Sequence, residues 1–375
     1  MTPFFLLLFY NAVVKSWDVV VIGGGIIGLS LAISLRRQGL RVLVVERGEP
    51  GREASHAAAG MLVGSGAESP AALGVLAEES ARLYPEFVHE LEDESGMKVD
   101  LRDQGTILIS SDGASSLLAP EFGDPLSEDE FQSLEPDLAA HGRGLSALHE
   151  LGYSAAYLSE RSVDPRKLTG AAIKAARHRG VDISSGNEVK SLLISQGRVT
   201  GVETEKTSYS AAMVVNCAGA WAGCIAPHRV PVRPVKGQML AVIGGPVLRH
   251  VIRSEKVYLV PRSDGRVLIG STLEDAGYSK QTDVSVIQRL FHAALELVPG
   301  LAESKVHEDW AGLRPGTADE LPILGETSIP GYFVATGHYR DGILLAPITA
   351  QVMTDLIFGK PVSHDLKPLS AARFD

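Results

Sequence analysis

The chain has 375 residues, of which 45% are hydrophobic and 21% are charged. These values are typical of a globular protein long enough to hold two hydrophobic cores, and they exclude a linker or a disordered tail. The formal net charge of −10 comes from acidic and basic residues interspersed along the chain without a basic run, which argues against nucleic acid or an anionic membrane as a partner.

The first feature along the chain is an apolar segment, residues 2–10, that precedes Lys15. It fits a signal peptide poorly, because no lysine or arginine comes before it and no small-residue cleavage site follows it. At about 14 residues it is also short for a membrane span. We expect residues 1–15 to be an extension outside the folded domains, with a membrane tether and an export signal as the alternatives.

A glycine-rich turn links the first predicted strand to the first predicted helix. The apolar run at residues 18–22 is followed by the sequence GGGIIG at 23–28, and a helix is predicted from 26 to 38, where Gly39 ends it. The glycines allow a tight turn, a close approach to a pyrophosphate and close packing of helix on strand. The start of the helix adds free N–H groups and a positive dipole end, so the turn predicts a dinucleotide site.

An acidic residue supports this prediction. Glu46 closes the next predicted strand, residues 40–45, and stands roughly 20 residues past the turn, where an acid accepts hydrogen bonds from a ribose. The strand, turn, helix and acid together are far more specific than the glycines alone. NAD and FAD remain open at this point, whereas a carboxylate would repel the 2′-phosphate of NADP.

Hydrophobic periodicity predicts the remaining elements. Helices are predicted at residues 74–91, 166–179, 283–298 and 342–358, the second after the cap Asp164-Pro165 and the third before Pro299. Strands are predicted at residues 101–109, 189–194, 199–203, 213–219, 230–242, 257–260, 266–269 and 331–337. Residues 52–62 are small and suited to packing against a flat surface, and the acidic segment 112–144 is expected at the surface.

Two later strands, 213–219 and 331–337, also run into glycine turns, so nucleotide-type pieces lie at the start, middle and end of the chain. The segments between them read as antiparallel. The sequence therefore predicts an α/β fold in which a Rossmann-like dinucleotide-binding domain is interleaved with an antiparallel-sheet substrate domain of α+β type. We expect the first domain to comprise residues 16–85, 152–223 and 317–375, and the second to comprise residues 86–151 and 224–316.

Cysteine and metal chemistry contribute little to the prediction. Cys217 lies in an apolar run and reads as a small buried hydrophobic residue, and Cys224 alone gives no disulfide framework. These features favour a reducing, cytoplasmic compartment. The sequence shows no cluster with metal-ligand spacing, so no metal is expected.

Further motifs give the chain a family likeness. They are SHAAAGML at residues 55–62, VKGQ at 235–238, YLVPR at 258–262, GST at 270–272, WAGLRPGTADELPILG at 310–325 and GHYRDGILLAP at 337–347. With the glycine turn, they make the region from about Trp17 to Phe358 similar to the FAD-dependent D-amino-acid oxidase superfamily and, within it, to the glycine oxidase family of thiamine biosynthesis. The last two motifs are the specific ones.

The resemblance implies non-covalent FAD in the Rossmann-like domain. The cofactor residues that it implies, together with the fingerprint glycines, are Gly23, Gly25, Ile26, Ile27, Gly28, Glu46, Arg47, Ala54, Ser55, Ala59, Gly60, Met61, Val189, His338, Tyr339, Arg340, Asp341, Gly342, Ile343 and Leu344. A helix N-terminus after Gly342 would stabilise negative charge on the reduced flavin. Some relatives attach flavin covalently through a histidine near the position of the SHAAAG stretch, residues 55–60. In this chain, His56 stands one position out of register with that histidine.

The same resemblance places Arg314 and Arg340 on the substrate carboxylate and Tyr258 beside it. A planar guanidinium matches a carboxylate through two parallel hydrogen bonds, which lysine cannot form. The alternatives are surface pairing of the two arginines with Asp319 or Asp341, and a core-strand role for Tyr258.

The chain departs from the family pattern at three positions. Lys256 stands where such enzymes have a histidine, Leu273 stands where a methionine lines the substrate pocket, and Asp341 replaces an asparagine. Leu273 conserves volume and apolarity, so the pocket is expected to stay small. Lys256 would broaden acceptance to acidic side chains if its ammonium group pointed inward. These positions leave the breadth of substrates open.

The implied activity is oxidation of glycine and small amines such as sarcosine or D-alanine to glyoxylate or another 2-oxo acid, ammonia and hydrogen peroxide, with the imine supplied to thiamine thiazole synthesis. The expected partners are a small amino acid, dioxygen and thiazole synthase, in a homo-oligomer that binds no nucleic acid. The alternatives are a membrane-associated flavin D-amino-acid dehydrogenase or deaminase that feeds quinone, and a flavoprotein that docks on thiazole synthase with little turnover of its own.

Overall fold

A computed structural model of the chain describes residues 16–64, 70–111, 124–141 and 144–374. The predicted N-terminal extension, residues 1–15, lies outside the described residues, as do parts of the predicted acidic segment 112–144.

The strands are numbered in chain order. They are β1 (Ser16–Ile22), β2 (Val42–Val45), β3 (Met61–Leu62), β4 (Leu101–Arg102), β5 (Thr106–Ser111), β6 (Asp124–Pro125), β7 (Tyr153–Leu158), β8 (Arg161–Val163), β9 (Asp182–Ser184), β10 (Val189–Ser195), β11 (Arg198–Thr204), β12 (Ser208–Asn216), β13 (Arg233–Ile243), β14 (Val251–Arg253), β15 (Tyr258–Pro261), β16 (Val267–Gly270), β17 (Lys305–Gly316), β18 (Ile323–Glu326) and β19 (Tyr332–Thr336).

The helices alternate with these strands. They are α1 (Ile26–Arg37), α2 (Ala54–Ala57), α3 (Gly74–Ser95), α4 (Glu128–Leu134), α5 (Pro136–His141), α6 (Leu145–Glu150), α7 (Pro165–His178), α8 (Val284–Leu297) and α9 (Ala346–Ile357). The predicted helices at 26–38, 74–91, 166–179 and 283–298 are thus confirmed within a few residues. Asp164 and Asp283 cap α7 and α8, since each side chain accepts a hydrogen bond from a backbone N–H in the first turn.

The first sheet has a parallel centre, in the order β9, β2, β1, β12 and β19. Val19 and Val21 of β1 face the core formed with α1, α3, α7 and α9, whereas Val20 and Ile22 face a second core on the other side of the sheet. Burial on both faces explains the continuous apolar runs at residues 19–22 of β1 and 42–45 of β2. Because the strands are parallel, the turns that follow them meet at one edge of the sheet.

The second sheet is mostly antiparallel and has the order β17, β13, β16, β15, β14, β5, β7 and β6. Ile252 and Leu259 face a core that includes residues of α8 and of α4 to α6, whereas Val251 and Val260 face a smaller cluster on the opposite side. This alternation has the period of two that strands impose. A smaller sheet of β3, β8 and β4 accompanies these two.

A strand pair and a helix cross two of the predicted domain boundaries. β7 pairs with β5 in the second sheet, although it falls inside the segment 152–223 that was assigned to the dinucleotide-binding domain. α3 runs on to Ser95 and contacts α7 and α9, so a boundary at residue 85 would divide one helix. The division into two interleaved domains itself stays a prediction.

The predicted last helix begins later than expected. Residues 342–345 form turns, in which the Leu345 N–H donates to the Asp341 carbonyl, and α9 starts at Ala346. Pro347 occupies the first turn of α9, where its missing N–H costs nothing. The expectation of a helix N-terminus directly after Gly342 was therefore wrong, since the regular helix starts four residues further on.

The packing of α1 on the turn after β1 gives a stability prediction. A Cβ atom on Gly28 would lie 2.1 Å from the carbonyl oxygen of Gly23, whereas a Cβ on Gly74, at the start of α3, would meet no atom within 4 Å. We expect Gly28→Ala to lower the free energy of unfolding by about 1–3 kcal/mol, as overpacking does. The matched Gly74→Ala should be neutral or stabilising by up to about 1 kcal/mol. Urea denaturation of both variants tests this, and equal midpoints would contradict it.

Candidate functional site

A cavity of about 420 Å³ is lined by residues of both large sheets. It joins the turns at the carboxyl edge of the first sheet to the face of the second sheet that carries Tyr258. The predicted site residues that line it are Gly23, Gly25, Ile26, Ile27, Glu46, Arg47, Ala54, Ser55, Ala59, Gly60, Met61, Val189, Lys256, Tyr258, Leu273, Arg314, His338, Tyr339, Arg340, Asp341, Gly342 and Ile343. The structure thus brings together residues from widely separated segments of the chain.

Gly28 and Leu344 are predicted site residues that the described structure places outside this lining. Gly28 instead provides the close contact between α1 and the turn after β1. Leu344 is buried in the core, and its carbonyl oxygen accepts a hydrogen bond of 2.6 Å from the Ser80 hydroxyl. Both residues are next in the chain to a residue that lines the cavity, Ile27 and Ile343 respectively.

The start of α1 faces the cavity. Gly25 is its N-cap and offers no side chain, so Ser55, from the small-residue segment, accepts the Ile26 N–H through its hydroxyl at 3.0 Å. Backbone N–H groups at a helix start, together with the helix dipole, attract an anion such as a pyrophosphate.

Glu46 holds two turns in place. Its buried carboxylate accepts the Gly24 N–H at 2.7 Å through Oε2 and the Gly48 N–H at 2.9 Å through Oε1. Each carboxylate oxygen can accept a further hydrogen bond, so a ribose hydroxyl can add to the same group.

An aromatic stack lies beside Arg47. The guanidinium carbon of Arg47 is 3.5 Å from the ring centroid of Trp221, and Trp221 stacks on Tyr278 with centroids 5.6 Å apart. Arg47 also pairs with Glu53 at 2.6 Å. Trp221 and Glu53 line the cavity but were missed from the sequence, although Trp221 ends the second glycine turn and could have been found there.

Arg314 lies on β17 and reaches into the opposite part of the cavity. Its Nη1 donates to the Thr272 carbonyl at 3.1 Å, and its Nη2 donates to the Ser271 hydroxyl at 2.6 Å. A Cβ on Gly237 would lie 2.2 Å from Nη1, so a glycine in the VKGQ motif is what leaves room for the guanidinium group. The alternative of pairing with Asp319 is wrong, because Asp319 binds Arg373 at 2.7 Å.

Tyr258 and Arg340 complete the predicted substrate group. Tyr258 is half-buried on β15, with its hydroxyl 3.7 Å from the Met239 sulfur. Arg340 is exposed, and its guanidinium carbon lies 5.4 Å from the ring centroid of Tyr339. Both side chains line the same cavity as Arg314, and Tyr258 also packs against the smaller hydrophobic cluster of the second sheet.

Two of the three residues that depart from the family pattern, Lys256 and Leu273, are exposed, whereas Asp341 is partly buried. The Lys256 ammonium group binds the Glu296 carboxylate at 3.0 Å, and the lysine side chain is 61% exposed. This hydrogen bond raises the pKa of Lys256. The ammonium therefore does not serve as an inward cation, while Leu273 is 52% exposed and lines the cavity.

Two histidines have separate surroundings. His338 is buried, its Nε2 lies 3.1 Å from the Thr349 hydroxyl, and burial lowers the pKa of His338 to about 3, so the ring is neutral at physiological pH. His56 lies on α2, where burial and then the nearby charge of Arg166 lower its pKa. It is not part of the cavity lining in the described structure, although its neighbours Ser55 and Ala57 are.

Two kinds of feature were not found within residues 16–64, 70–111, 124–141 and 144–374. No group of three or more histidine, cysteine, aspartate or glutamate side chains there could hold a metal ion. No helix in the same ranges is both long and apolar enough to cross a membrane.

Comparison with known proteins identifies a matching protein family. The family model described as DAO, FAD dependent oxidoreductase, matches residues 18–356. The bifunctional protein ThiO/ThiG of Trichormus variabilis is 37% identical over 95% of this chain, which spans 55% of that longer protein. The hydrogen cyanide synthase subunit HcnC of Pseudomonas aeruginosa is 32% identical, with 96% of this chain and 97% of that one covered. The crystal structure of glycine oxidase from Geobacillus kaustophilus has a TM-score of 0.87 at 32% identity, with 96% and 99% covered.

The cavity residues fit FAD. The glycine turn and the α1 N-terminus provide the backbone N–H groups that a pyrophosphate requires, and Glu46 provides an acceptor for a ribose. The rest of the cavity extends from Ala59 and Gly60 to Tyr258. Its lining combines apolar and polar residues, which suits a flat ring system.

Replacement of Glu46 should weaken FAD binding. Glu46→Lys converts an acceptor of two backbone hydrogen bonds into a cation, and the lost charged hydrogen bond amounts to about 1.5–3 kcal/mol, or roughly tenfold to 150-fold in affinity. Glu205→Gln, at an exposed glutamate paired with Lys190, is the control. Titration of each apo-protein with FAD measures the effect. Wild-type affinity in Glu46→Lys, or a folded wild type that binds no FAD, would contradict the assignment.

The neutral state of His338 gives a pH prediction. The unfolded chain binds a proton on this histidine below about pH 6.5, whereas the folded chain does so near pH 3. The unfolded state thus holds more protons between these values, so stability falls as pH drops from 6.5 towards 3, by up to about 1.4 kcal/mol per pH unit from this residue.

Urea denaturation between pH 4 and 7 tests this pH dependence. His338→Asn should lose less stability towards pH 4 than the wild type, while His89→Asn, at an exposed histidine, should parallel the wild type. If the free energy of unfolding changed with pH in the same way in all three proteins, the His338 ring would not contribute to the pH dependence of stability.

Proposed function

Because the chain belongs to the DAO family of FAD-dependent oxidoreductases, we propose that it oxidises glycine and small amines such as sarcosine or D-alanine. For glycine the balanced reaction consumes one water and one dioxygen and gives glyoxylate, ammonia and hydrogen peroxide. The observation that carries this proposal is the presence of Arg314 and Tyr258 on the wall of the cavity that also holds the glycine turn. The 32% identity to glycine oxidase over nearly the whole chain supports the choice of substrate.

Arg314 binds the substrate carboxylate in this proposal. Two of its five N–H donors are engaged by Ser271 and Thr272, which fix the plane of the guanidinium group. A fixed plane presents the other donors in the fork that a carboxylate matches. Tyr258 has the weak acceptor sulfur of Met239 as its hydroxyl neighbour, so its O–H is available to the same carboxylate.

The protein's contribution is orientation rather than acid–base chemistry. When bound, FAD supplies the hydride acceptor and passes the electrons on to dioxygen. The carboxylate contacts set the direction in which the substrate Cα–H bond points, and a fixed direction of this kind removes much of the entropic barrier. His338 stays neutral and therefore adds no competing cation to the cavity.

A link to thiamine thiazole synthesis is the second part of the proposal. The ThiO/ThiG relatives join a ThiO part to a ThiG part, and this chain spans about half of their length. We propose that the imine formed by this enzyme is passed to a thiazole synthase, with a cytoplasmic location and a homo-oligomeric state. A membrane tether at the N-terminus with quinone as the electron acceptor remains the alternative to this arrangement.

Oxygen uptake and product analysis test the proposal. Glycine should drive oxygen consumption with equal amounts of glyoxylate, ammonia and peroxide. Reduction of a quinone without oxygen uptake would support the dehydrogenase alternative, and bound FAD that glycine fails to reduce would support the docking alternative. Cyanide in place of glyoxylate would assign the chain to the activity that the name of the HcnC relative describes.

Arg314→Ala should lower kcat/KM for glycine by more than about tenfold, because truncation of one partner of a buried charge pair costs about 2–5 kcal/mol. FAD content should stay near that of the wild type, since the bonds of Arg314 are to Ser271 and Thr272. Arg233→Ala is the matched control, because Arg233 lies on the paired strand β13 with a side chain that is 62% exposed. Unchanged kcat/KM in Arg314→Ala would remove Arg314 from the substrate site.

A further inference from the structure

Five arginines of the described residues line the cavity, namely Arg47, Arg52, Arg253, Arg314 and Arg340, and the function proposed above does not use Arg253. It ends β14 and pairs with Tyr258 of β15, so the two side chains lie on the same face of the second sheet. Its neighbour Ile252 faces the core on the other side, as the period of two requires. Arg253 is 8% exposed, although arginine is rarely buried without a complete set of partners.

The partners of Arg253 are incomplete. Its Nη1 lies 3.5 Å and 3.4 Å from the two carboxylate oxygens of Glu160, so a single nitrogen makes two long contacts in place of a two-nitrogen fork. Its Nε is buried and has no hydrogen-bond partner among the described residues. A buried, unpaired donor on a guanidinium group is costly, so an anion held against this group would offset part of that cost.

Several other cations of the cavity lining have acidic partners within the protein. Lys256 binds Glu296, Arg47 pairs with Glu53, and Arg52 pairs with Glu49. Arg314 donates to Ser271 and Thr272 and keeps its other donors for the first carboxylate. Glu255, an acidic residue of the lining, accepts hydrogen bonds from Ser110 and Ser111. Among the described arginines that line the cavity, Arg253 is thus the one with a buried nitrogen that has no hydrogen-bond partner.

We propose that Arg253 forms an anion subsite beside Tyr258 that binds a second carboxylate, which makes dicarboxylic amines a substrate class of this enzyme. The inference rests on the proposed function, in which Arg314 holds the first carboxylate. It assigns to Arg253 the preference for acidic substrates that the sequence suggested for Lys256. Glu160 competes with the ligand for the same guanidinium group and so limits this preference.

Iminodiacetate and sarcosine form a matched pair of probes, since iminodiacetate is sarcosine with a carboxylate on its N-methyl group. Oxidation breaks one Cα–H bond of iminodiacetate and takes up one water and one dioxygen. The products are glyoxylate, glycine and hydrogen peroxide. Because this glycine is itself a proposed substrate, the comparison uses initial rates of oxygen uptake.

The experiment measures the ratio of kcat/KM for iminodiacetate to kcat/KM for sarcosine in the FAD-loaded enzyme. Arg253→Met should lower this ratio by about tenfold or more, the loss expected when a hydrogen bond to a charged group is removed. Glu160→Gln should raise the ratio, because it removes the competing carboxylate, and a merely structural ion pair would not produce an increase. Arg41→Met, at an exposed arginine paired with Asp18, controls for the change in net charge.

A double variant, Arg253→Met with Glu160→Gln, keeps the test decisive if the single arginine variant fails to fold, since it leaves no unpaired buried charge. Its ratio should be as low as that of Arg253→Met. A ratio that is the same in the wild type, Glu160→Gln and the double variant would overturn the subsite while sarcosine turnover left the proposed function intact. Absence of turnover with glycine, sarcosine and iminodiacetate alike would instead overturn the proposed function.

Discussion

The architecture depends on one carboxylate, that of Glu46, which ties together the turns after β1 and β2. Its two oxygens accept the backbone N–H groups of Gly24 and Gly48, so the loops at the edge of the parallel sheet are held at a fixed separation. This contact is possible because β1 and β2 are parallel neighbours whose ends lie side by side. The direction of α1, and with it the N–H groups that face the cavity, follows from the position of the first turn.

The two large sheets contribute different chemistry to the cavity. The parallel sheet provides backbone donors and a helix start, which suit a phosphate, while the antiparallel sheet provides side chains at every second position. Val251, Arg253, Tyr258 and Val260 lie on the cavity face, and Ile252 and Leu259 lie on the core face. The cavity thus has backbone donors suited to a dinucleotide at one end and side chains suited to a small anionic substrate at the other.

Local patterns in the sequence were sufficient for the glycine turn, Glu46, the cap of α7 and most helix bounds, because each depends on residues within a few positions of one another. The start of α9 was placed too early, since the turn at 342–345 depends on the Leu345 to Asp341 hydrogen bond rather than on composition. Arg253 and Glu53 were missed for a different reason. Their positions follow from strand pairing and from contacts between distant segments of the chain. For example, Arg253 of β14 lies opposite Tyr258 of β15. A local sequence pattern cannot predict such contacts. For Lys256, the family resemblance implied a place beside the pocket, whereas the contact with Glu296 directs its charge outward.

The proposed function requires that one cavity bring FAD and the amine substrate together. The visible absorption spectrum of the purified protein, recorded under anaerobic conditions before and after addition of glycine, tests this requirement. We expect a yellow protein whose flavin absorption is bleached by glycine and returns when air is admitted. A folded protein that remains colourless after incubation with FAD, or a flavin spectrum that glycine, sarcosine and D-alanine all leave unchanged, would contradict it.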